Sequence, residues 1–471
     1  MNRTHRATAF VVLVMLTANT TVQSQELAAG IASVDITPSI PYRMSGYFSE
    51  RLSTGFKDRL QVKAIVFQQN DQMAALVFCD LIGISLDVSS RARQRASEVT
   101  GIPVAHIAIA ATHSHMGPLY SGALREHFHD RIVSKLGNDP HEIVDYPAKL
   151  IEQLVLAIQQ AHESLQPVTL AAGYANERRL SFNRRFYMQD GSVRFNPGQL
   201  NPNIVRTAGP IDPQVAILAL RNKSGSNPFA AIIAFAMHLD TVGGTEYSAD
   251  SPRFLQDHLR QETGLDFVSM FAAGTCGDIN HVDVTIRGQR NAAEIGGMLG
   301  ETVANKLSEL ATVNKPSLAV RSATVAAPLQ SFTEEEIARA RHGMKLVDSS
   351  ELSFLERVRA YKITAVGMRS GKALPLEVQA FRLSDDVAIV TLPGEVFVDL
   401  GIAIKAGSPF KTTLVIELTN DAPGYIPTRQ VFAEGSCETV NSRVKTGGGE
   451  MMVQTAIGLL RELVEIKVEG R

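Results

Sequence analysis

The sequence is poor in cysteine and in net charge. Three cysteines among 471 residues are too few for a disulfide framework or a zinc knuckle built from thiolates. Lysine and arginine number 46 against 48 aspartate and glutamate residues, and this balance argues against a nucleic-acid-binding protein, which presents a basic face. Glycine and proline contents are ordinary, which excludes collagen-like and low-complexity structures.

Several familiar catalytic signatures are also missing. The chain has no His-Glu-x-x-His motif, no Gly-x-Ser-x-Gly elbow, no Walker loop, no dinucleotide-binding glycine fingerprint and no Cys-x-x-Cys pair. These absences argue against the common zincins, the P-loop NTPases and the Rossmann dehydrogenases. Any catalytic site must therefore be assembled from residues that are far apart in the sequence.

The first 24 residues have the pattern of a secretory signal peptide. Arg3 and Arg6 supply the positive region, an apolar run follows over residues 7–16, and residues 22–24 offer small side chains for cleavage. The apolar run is too short to span a bilayer as a helix. We expect a mature chain of residues 25–471 that is secreted or periplasmic and has no transmembrane segment, with at most transient contact with a membrane surface.

Apolar, β-branched runs alternate with helical patterns along the rest of the chain. The runs lack a clean two-residue alternation, which predicts strands covered on both faces. They lie at residues 62–67, 74–84, 104–111, 215–220, 230–237, 387–392 and 413–418. Helical spacing or a capping box marks residues 144–162, 291–310, 333–336 and 451–464. The sequence predicts an α/β (mixed α+β) fold in one large single domain, with mixed β-sheets covered by helices.

Two stretches have less regular patterns. Residues 173–212 are polar and rich in arginine, and we expect long irregular loops there. Residues 329–372 are helical and charged, which is consistent with a lid or an inserted subdomain.

Polar side chains follow four of the predicted strands at their carboxyl ends. One strand leads into His113 and His115, and the others lead to His238, to Glu395 and to Tyr425. Open α/β sheets place their ligand sites at this edge. If the extended conformation of the run 104–111 persists beyond its end, His113 and His115 point to the same face of the strand.

Two imidazoles and a carboxylate with one position open form a catalytic rather than a structural zinc shell. Zinc lowers the pKa of bound water from about 15.7 to about 7. A second histidine, with an ordinary pKa of about 6.5, can then act as general base and acid. His113 and His115 would divide these two tasks. Each feature alone is more often a structural histidine or a solvated turn, so a metal site and a structural role both stay open on the residues alone.

Seven short blocks, taken in order, resemble the neutral/alkaline (non-lysosomal) ceramidase family over about residues 28–465. The blocks are residues 29–38, residues 111–118, Asn183-Arg184, His238, residues 277–280, Pro393-Gly394-Glu395 and residues 424–429. The resemblance is to the catalytic N-terminal domain, without the C-terminal immunoglobulin-like domain. It implies a zinc-dependent amidohydrolase that hydrolyses a linear, ceramide-like N-acyl amide to a carboxylate and an amine through zinc-activated water.

The resemblance also implies a role for each matching residue. The Zn²⁺ ligands would be His113, His238, Glu395 and Tyr425. His115 would be the general base and later the acid, and Arg184 would help to hold the carbonyl oxygen of the substrate. From the chemistry of such sites, Asp240 or Asp278 would orient a ligand histidine.

The chain departs from the family pattern in two places. Cys437 stands where the family has a tyrosine that supports the developing oxyanion, and a thiol is the weaker donor. Loss of one such donor can lower the rate roughly 10²–10³-fold. Residues 119–122 replace a glycine-rich segment at the expected substrate entrance.

Two other interpretations therefore stay open: a zinc hydrolase of a non-lipid amide or ester, and a non-catalytic member of the fold. The expected partner is a small-molecule or lipid N-acyl substrate, with no nucleic acid. The sequence does not fix the oligomeric state.

Overall fold

The computed structural model describes residues 26–223, 227–369 and 373–466. The expected signal peptide lies outside the described residues. Within them, 22 strands, eleven α-helices and one 3₁₀ turn at Val104–His106 are present. None of the helices in these ranges has the length and apolar character needed to cross a membrane.

The strands are named here in chain order. They are β1 (Ala28–Asp35), β2 (Gly55–Phe56), β3 (Gln61–Gln69), β4 (Gln72–Cys79), β5 (Ile107–Ala111), β6 (Gln166–Asn176), β7 (Phe182–Asn183), β8 (Arg185–Met188), β9 (Val193–Phe195), β10 (Ile204–Thr207), β11 (Gln214–Asn222), β12 (Pro228–Phe235), β13 (Glu246–Tyr247), β14 (Val268–Ala273), β15 (Ile279–Asn280), β16 (Ala311–Thr312), β17 (Ala319–Pro328), β18 (Ala373–Arg382), β19 (Val387–Thr391), β20 (Glu395–Val396), β21 (Thr412–Ile416) and β22 (Tyr425–Ile426).

The helices are named in the same way. They are α1 (Leu86–Thr100), α2 (Gly122–Leu136), α3 (Tyr146–Glu163), α4 (Ser251–Thr263), α5 (Ala292–Leu307), α6 (Glu334–Lys345), α7 (Phe354–Gly367), α8 (Val398–Gly407), α9 (Arg429–Glu434), α10 (Cys437–Asn441) and α11 (Gly448–Glu465).

Two mixed sheets form the centre of the structure. The larger has the order β14-β12-β11-β6-β1-β3-β4-β5, with β16 paired to β6, and the smaller has the order β17-β18-β19-β21. Most neighbours are antiparallel, but β4 and β5, β12 and β14, and β19 and β21 run parallel. The larger sheet curves, so that its edge strand β14 contacts β4 and β5 at the other end.

The two sheets pack face to face, and helices cover their outer faces. On β3, Val62, Ala64 and Val66 pack beneath α1 and α3, whereas Ile65 and Phe67 point into the core between the sheets. Helices α4 and α5 cover another part of the larger sheet, and α8 and α11 cover the smaller one. Strands β5, β14, β19 and β21 are buried on both faces, and their sequences are correspondingly rich in apolar residues. The predicted mixed α/β fold is therefore confirmed.

The structure corrects the bounds of several predicted elements. The run 74–84 is a strand only as far as Cys79, because the backbone N–H of Leu81 turns back to the Cys79 carbonyl. The run 104–111 begins with a 3₁₀ turn and becomes a strand at Ile107. The final helix begins at Gly448 rather than at 451. The capping box is present as predicted at the start of α6.

The prediction of irregular loops over residues 173–212 is wrong in part. Strand β6 continues to Asn176, and β8, β9 and β10 form a separate three-stranded sheet. The short strands β9 and β10 are mostly exposed or half-buried, and so they carry no hydrophobic pattern that would mark them in the sequence.

Candidate active site

The curvature of the larger sheet brings the ends of β5 and β12 together. His113 follows β5 and His238 follows β12, and their ring centroids lie 4.3 Å apart. The expectation of a continuing strand at His113 is wrong, because β5 ends at Ala111 and His113 has a φ of +75°. This left-handed conformation is uncommon for a residue with a side chain and is often found at functional sites.

His113 and His238 present their Nε2 atoms to each other at a distance of 2.9 Å. Their Nδ1 atoms lie 2.8 Å from the Ile82 carbonyl oxygen and 3.0 Å from the Cys276 carbonyl oxygen. A carbonyl oxygen only accepts hydrogen bonds, so each Nδ1 carries a proton, and in the neutral form of each ring Nε2 carries the lone pair. Main-chain carbonyl groups thus fix the tautomer of both rings.

Glu395 and Tyr425 come from the smaller sheet. Glu395 follows β19, Tyr425 follows β21, and the two residues pair directly in the short parallel ladder of β20 and β22. The Glu395 Oε2 atom lies 3.7 Å from the Nε2 atoms of both His113 and His238. Burial and the nearby Glu395 carboxylate raise the pKa of Tyr425.

This donor set fits a divalent metal ion. Two imidazole lone pairs converge within 2.9 Å, and a carboxylate stands near both. A cation between these atoms would relieve the repulsion of the facing lone pairs. Nitrogen and carboxylate donors of this kind suit zinc, and each ring has the backbone hydrogen bond that metal-ligating histidines commonly make.

His115 completes a cluster of three histidines with His113 and His238, whose ligand atoms all lie within 4.8 Å of one another. The His115 ring hydrogen-bonds to the Gly46 backbone, and its buried Nε2 has no partner within the described structure. Burial, with His113 beside it, lowers the pKa of His115 to about 3. The ring is therefore neutral at neutral pH, and its unprotonated Nε2 can accept a proton.

Of the two adjacent arginines, Arg184 faces the cluster and Arg185 faces away. Arg184 donates from Nη1 toward His238 Nε2 at 3.2 Å, and its guanidinium carbon lies 5.4 Å from the centre of the Tyr425 ring. Glu438 accepts from its Nε at 3.0 Å and holds the side chain in place. Arg185 instead pairs with Glu434, with 3.0 Å between Nη2 and Oε2.

Neither predicted aspartate orients a ligand histidine. Asp240 pairs with His281 at 2.9 Å, and Asp278 accepts from Asn183 and from the Val398 backbone. Backbone carbonyl groups take the predicted role, and a sequence pattern cannot reveal them. His281 was not among the candidates, because a histidine just after residues 277–280 has no distinguishing spacing.

The cluster opens into a cavity of about 480 Å³ between the sheets and α7. His113, His115, Glu395 and Tyr425 line it, whereas His238, Arg184 and Cys437 are not among the residues that line it. Cys437 is the first residue of α10, and burial raises the pKa of its thiol to about 12. The apolar part of the wall includes Phe48, Ile82, Ile84, Leu86, Leu119, Tyr120, Leu124, Tyr361, Ala365 and Met368.

Two stretches that the sequence analysis singled out contribute residues to the wall of this cavity. Leu119 and Tyr120, from the segment that departs from the family pattern, are part of its wall. In the stretch 329–372, α7 contributes Tyr361 and Ala365, so this helix covers one side of the cavity.

A second group, His129, Asp139 and Glu142, also has metal-like spacing, but its carboxylates already have partners. Arg43 donates from Nη1 to Asp139 at 2.6 Å and to Glu142 at 2.8 Å, and Arg125 donates from Nε to Glu142 at 2.9 Å. Two guanidinium groups thus balance two carboxylates, and this group needs no ion.

The fold and the cluster define a mixed α/β protein with a histidine-rich site able to hold a metal ion. The sequence model described as "Neutral/alkaline non-lysosomal ceramidase, N-terminal" matches residues 27–282, more than half of the chain. The chain therefore belongs to the neutral/alkaline non-lysosomal ceramidase family.

Named relatives agree with this assignment. The chain is 23% identical over 273 residues to neutral ceramidase A of Dictyostelium discoideum and 24% identical over 261 residues to neutral ceramidase of Pseudomonas aeruginosa. These matches cover 55% and 53% of this chain, and 36% of the length of each relative. The crystal structure of neutral ceramidase from Pseudomonas aeruginosa superposes with a TM-score of 0.69 at 20% identity, covering 94% of this chain and 75% of that one. The chain thus spans about a third of the curated relatives it matches, and it shares the fold of the crystal structure.

Proposed function

We propose that this protein is a zinc-dependent amidohydrolase that cleaves a ceramide-like N-acyl amide into a carboxylate and an amine. The observation that carries the proposal is the convergence of the His113 and His238 lone pairs beside Glu395, in a chain of this family. His113, His238, Glu395 and Tyr425 would hold the metal. When bound, zinc polarises the carbonyl group and lowers the pKa of water at the site.

The chain's own residues would move the proton. His115 is neutral, lines the cavity and has an Nε2 without a hydrogen-bond partner among the described residues, so it can take a proton from the attacking water. The same nitrogen can then return the proton to the nitrogen of the leaving amine. The Gly46 backbone holds the ring while its charge changes.

Arg184 would stabilise the negative charge that develops on the carbonyl oxygen. Its contacts with Glu438 and with the Gly277 carbonyl leave Nη1 directed at the cluster, next to Tyr425. A guanidinium fixed in this way needs no reorganisation during the reaction, which is the basis of electrostatic stabilisation of a transition state.

The cavity favours a substrate with an apolar chain. Its volume of about 480 Å³ lies in the usual range for small-molecule sites, and aliphatic and aromatic side chains form much of its wall. An acyl chain could lie against α7 while its amide group meets the cluster. We further propose that the protein is exported and acts outside the cytoplasm, on the basis of the signal-peptide pattern of residues 1–24.

The test combines metal content with a substrate panel. Purified protein would be analysed for zinc by mass spectrometry and assayed with ceramides, other N-acyl amides and esters, with His115→Ala as the control. We expect one zinc per chain and amide hydrolysis that chelation and His115→Ala both abolish. Protein without zinc, or amide hydrolysis that chelators do not affect, would contradict the proposal. Hydrolysis of esters alone would favour the interpretation as a zinc esterase.

A further inference from the structure

Arg443 is a buried cation in the wall of the active-site cavity. It lies two residues beyond α10 and is only 7% exposed. Its Nη2 donates to the Tyr361 hydroxyl at 3.1 Å, and its Nε has no hydrogen-bond partner among the described residues. The guanidinium forms no ion pair with any residue that the structure describes.

The other charged groups of the wall have partners. Arg369 pairs with Asp421 at 3.3 Å, Asp87 pairs with Arg91 at 3.3 Å, and Glu395 belongs to the histidine cluster. Within the described part of the wall, Arg443 is therefore the cation whose charge no neighbouring carboxylate balances.

Arg443 lies beside the loop segment that carries Tyr425. Its guanidinium carbon is 4.0 Å from the place where a side chain would begin at Gly424, the residue before Tyr425. The buried Oδ1 of Asn441, which also lines the cavity, lacks a partner as well. A donor and an acceptor without partners thus stand in one part of an otherwise largely apolar wall.

A buried guanidinium without a counter-charge is costly, and a ligand that brings a negative charge removes that cost. Arginine is also suited to this task, because its planar group can bind both oxygens of a carboxylate at once. The oxygen of an uncharged amide could accept a hydrogen bond from the guanidinium, but it would not balance the positive charge.

We propose that Arg443 binds an anionic group of the substrate, so that the preferred substrate is an N-acyl amide carrying a carboxylate. An N-acyl amino acid is of this class, and an uncharged ceramide is not. The inference rests on the proposed amidohydrolase function and specifies its substrate. The carboxylate can belong to the amine half or to the acyl half, and the test separates these two sources.

The test compares matched substrates with the zinc-loaded full chain. For the amine half, the pair is N-dodecanoylglycine and its uncharged carboxamide. For the acyl half, the pair is the ethanolamides of dodecanedioic acid and of dodecanoic acid. The measured quantity is the ratio of kcat/KM for the charged and the uncharged member of each pair. This ratio does not depend on the fraction of molecules that are folded.

We expect the wild type to prefer the charged member of one pair, and Arg443→Gln to lower that ratio about tenfold to a hundredfold. Arg443→Lys should keep part of the preference, because it retains the charge but not the planar group. The matched control is Arg369→Gln combined with Asp421→Asn: it removes an ion pair from the same wall without changing the net charge, so it should change the ratio much less.

A binding measurement tests the inference without requiring turnover. Calorimetry would compare N-dodecanoylglycine and the dodecanedioic acid ethanolamide with zinc-loaded His115→Ala, with and without Arg443→Gln. We expect at least one ligand to bind about tenfold more weakly when Arg443 is replaced. Equal binding of both ligands to the two variants would overturn the inference.

The outcomes distinguish the two proposals. If uncharged and charged amides are hydrolysed equally well and Arg443→Gln leaves the ratios unchanged, the anionic substrate is wrong while the amidohydrolase stands. If no amide is hydrolysed, the proposed function fails, and the calorimetry still decides whether Arg443 binds an anion.

Discussion

The Nε2 atoms of His113 and His238 lie 2.9 Å apart, although 125 positions separate the two residues in the chain. The Nδ1 of His113 donates a hydrogen bond to the Ile82 carbonyl oxygen, and the Nδ1 of His238 donates one to the Cys276 carbonyl oxygen. Two lone pairs are thereby presented to the same point. Because the backbone holds both rings, little conformational entropy is lost when they bind an ion.

Replacing one of these imidazoles should remove the metal. We expect His238→Ala to reduce the zinc content from about one per chain to near zero, and to lower the thermal midpoint because bound metal stabilises the folded state. Zinc analysis and calorimetric melting would measure both effects. The control is His129→Ala, which alters the second cluster and should retain the zinc. Loss of zinc in the control alone would contradict the assignment of the site.

The two neighbouring arginines should separate catalysis from stability. We expect Arg184→Lys to lower kcat roughly 10²–10³-fold, because a lysine cannot keep the contacts with Glu438 and the cluster together. Arg185→Lys should retain most of kcat per folded molecule and lower the free energy of unfolding by about 3 kcal/mol, since it weakens a buried ion pair with Glu434. Steady-state kinetics would measure kcat for both variants, and denaturant titration would measure their free energies of unfolding. Similar kcat values for the two variants would argue against a catalytic role for Arg184.

The cysteines should be inert in the native protein. Cys79, Cys276 and Cys437 are buried, and burial raises the pKa of each thiol, to about 12 for Cys437. A thiol whose pKa is raised stays protonated until the pH approaches that value, and only the thiolate reacts with alkylating agents. We expect no modification by iodoacetamide at pH 8 until the protein is unfolded, as followed by mass spectrometry.

Cys437 itself should contribute little to turnover. Because Cys437 neither lines the cavity nor has a described hydrogen bond to the histidine cluster, as Arg184 does, we expect Cys437→Ala to change kcat less than about threefold, well below the loss expected when an oxyanion donor is removed. A decrease of a hundredfold or more, restored by Cys437→Ser, would show that the thiol takes over the role of the family tyrosine.

Gly46 should be needed for the position of His115. Gly46 has a φ of +101°, and a Cβ added there would lie 2.5 Å from the His115 carbonyl oxygen. We expect Gly46→Ala to lower kcat strongly, because the backbone of His115 must shift. Gly191→Ala is matched in conformation, with a φ of +79°, but a Cβ there would meet no atom within 4 Å. It should cost about 1 kcal/mol of stability and leave kcat unchanged.

The sequence predicted the fold and the main site residues through its strands. A strand such as β5, which is covered on both faces, appears in the sequence as an uninterrupted apolar run, and the residues that follow such a run are easy to name. His113, His238, Glu395 and Tyr425 could be listed for that reason. The structure brings the first three within 4 Å of one another and places Tyr425 beside Glu395.

Features that depend on tertiary contacts could not be predicted from the sequence. The left-handed backbone at His113, the carbonyl groups that hold the two rings and the pairing of Asp240 with His281 have no local pattern. Arg443 resembles any other arginine in the chain, and its lack of a counter-ion becomes visible only when the whole wall of the cavity is known.

The proposed ligands come from both sheets, with the imidazoles on loops of the larger sheet and Glu395 and Tyr425 on loops of the smaller one. An ion bound by all four would cross-link the two layers, so chelation should weaken their packing as well as stop turnover. The family match at 27–282 ends before the second layer begins. A fragment shortened to that region would retain two nitrogen donors while lacking the oxygen donors that complete the site.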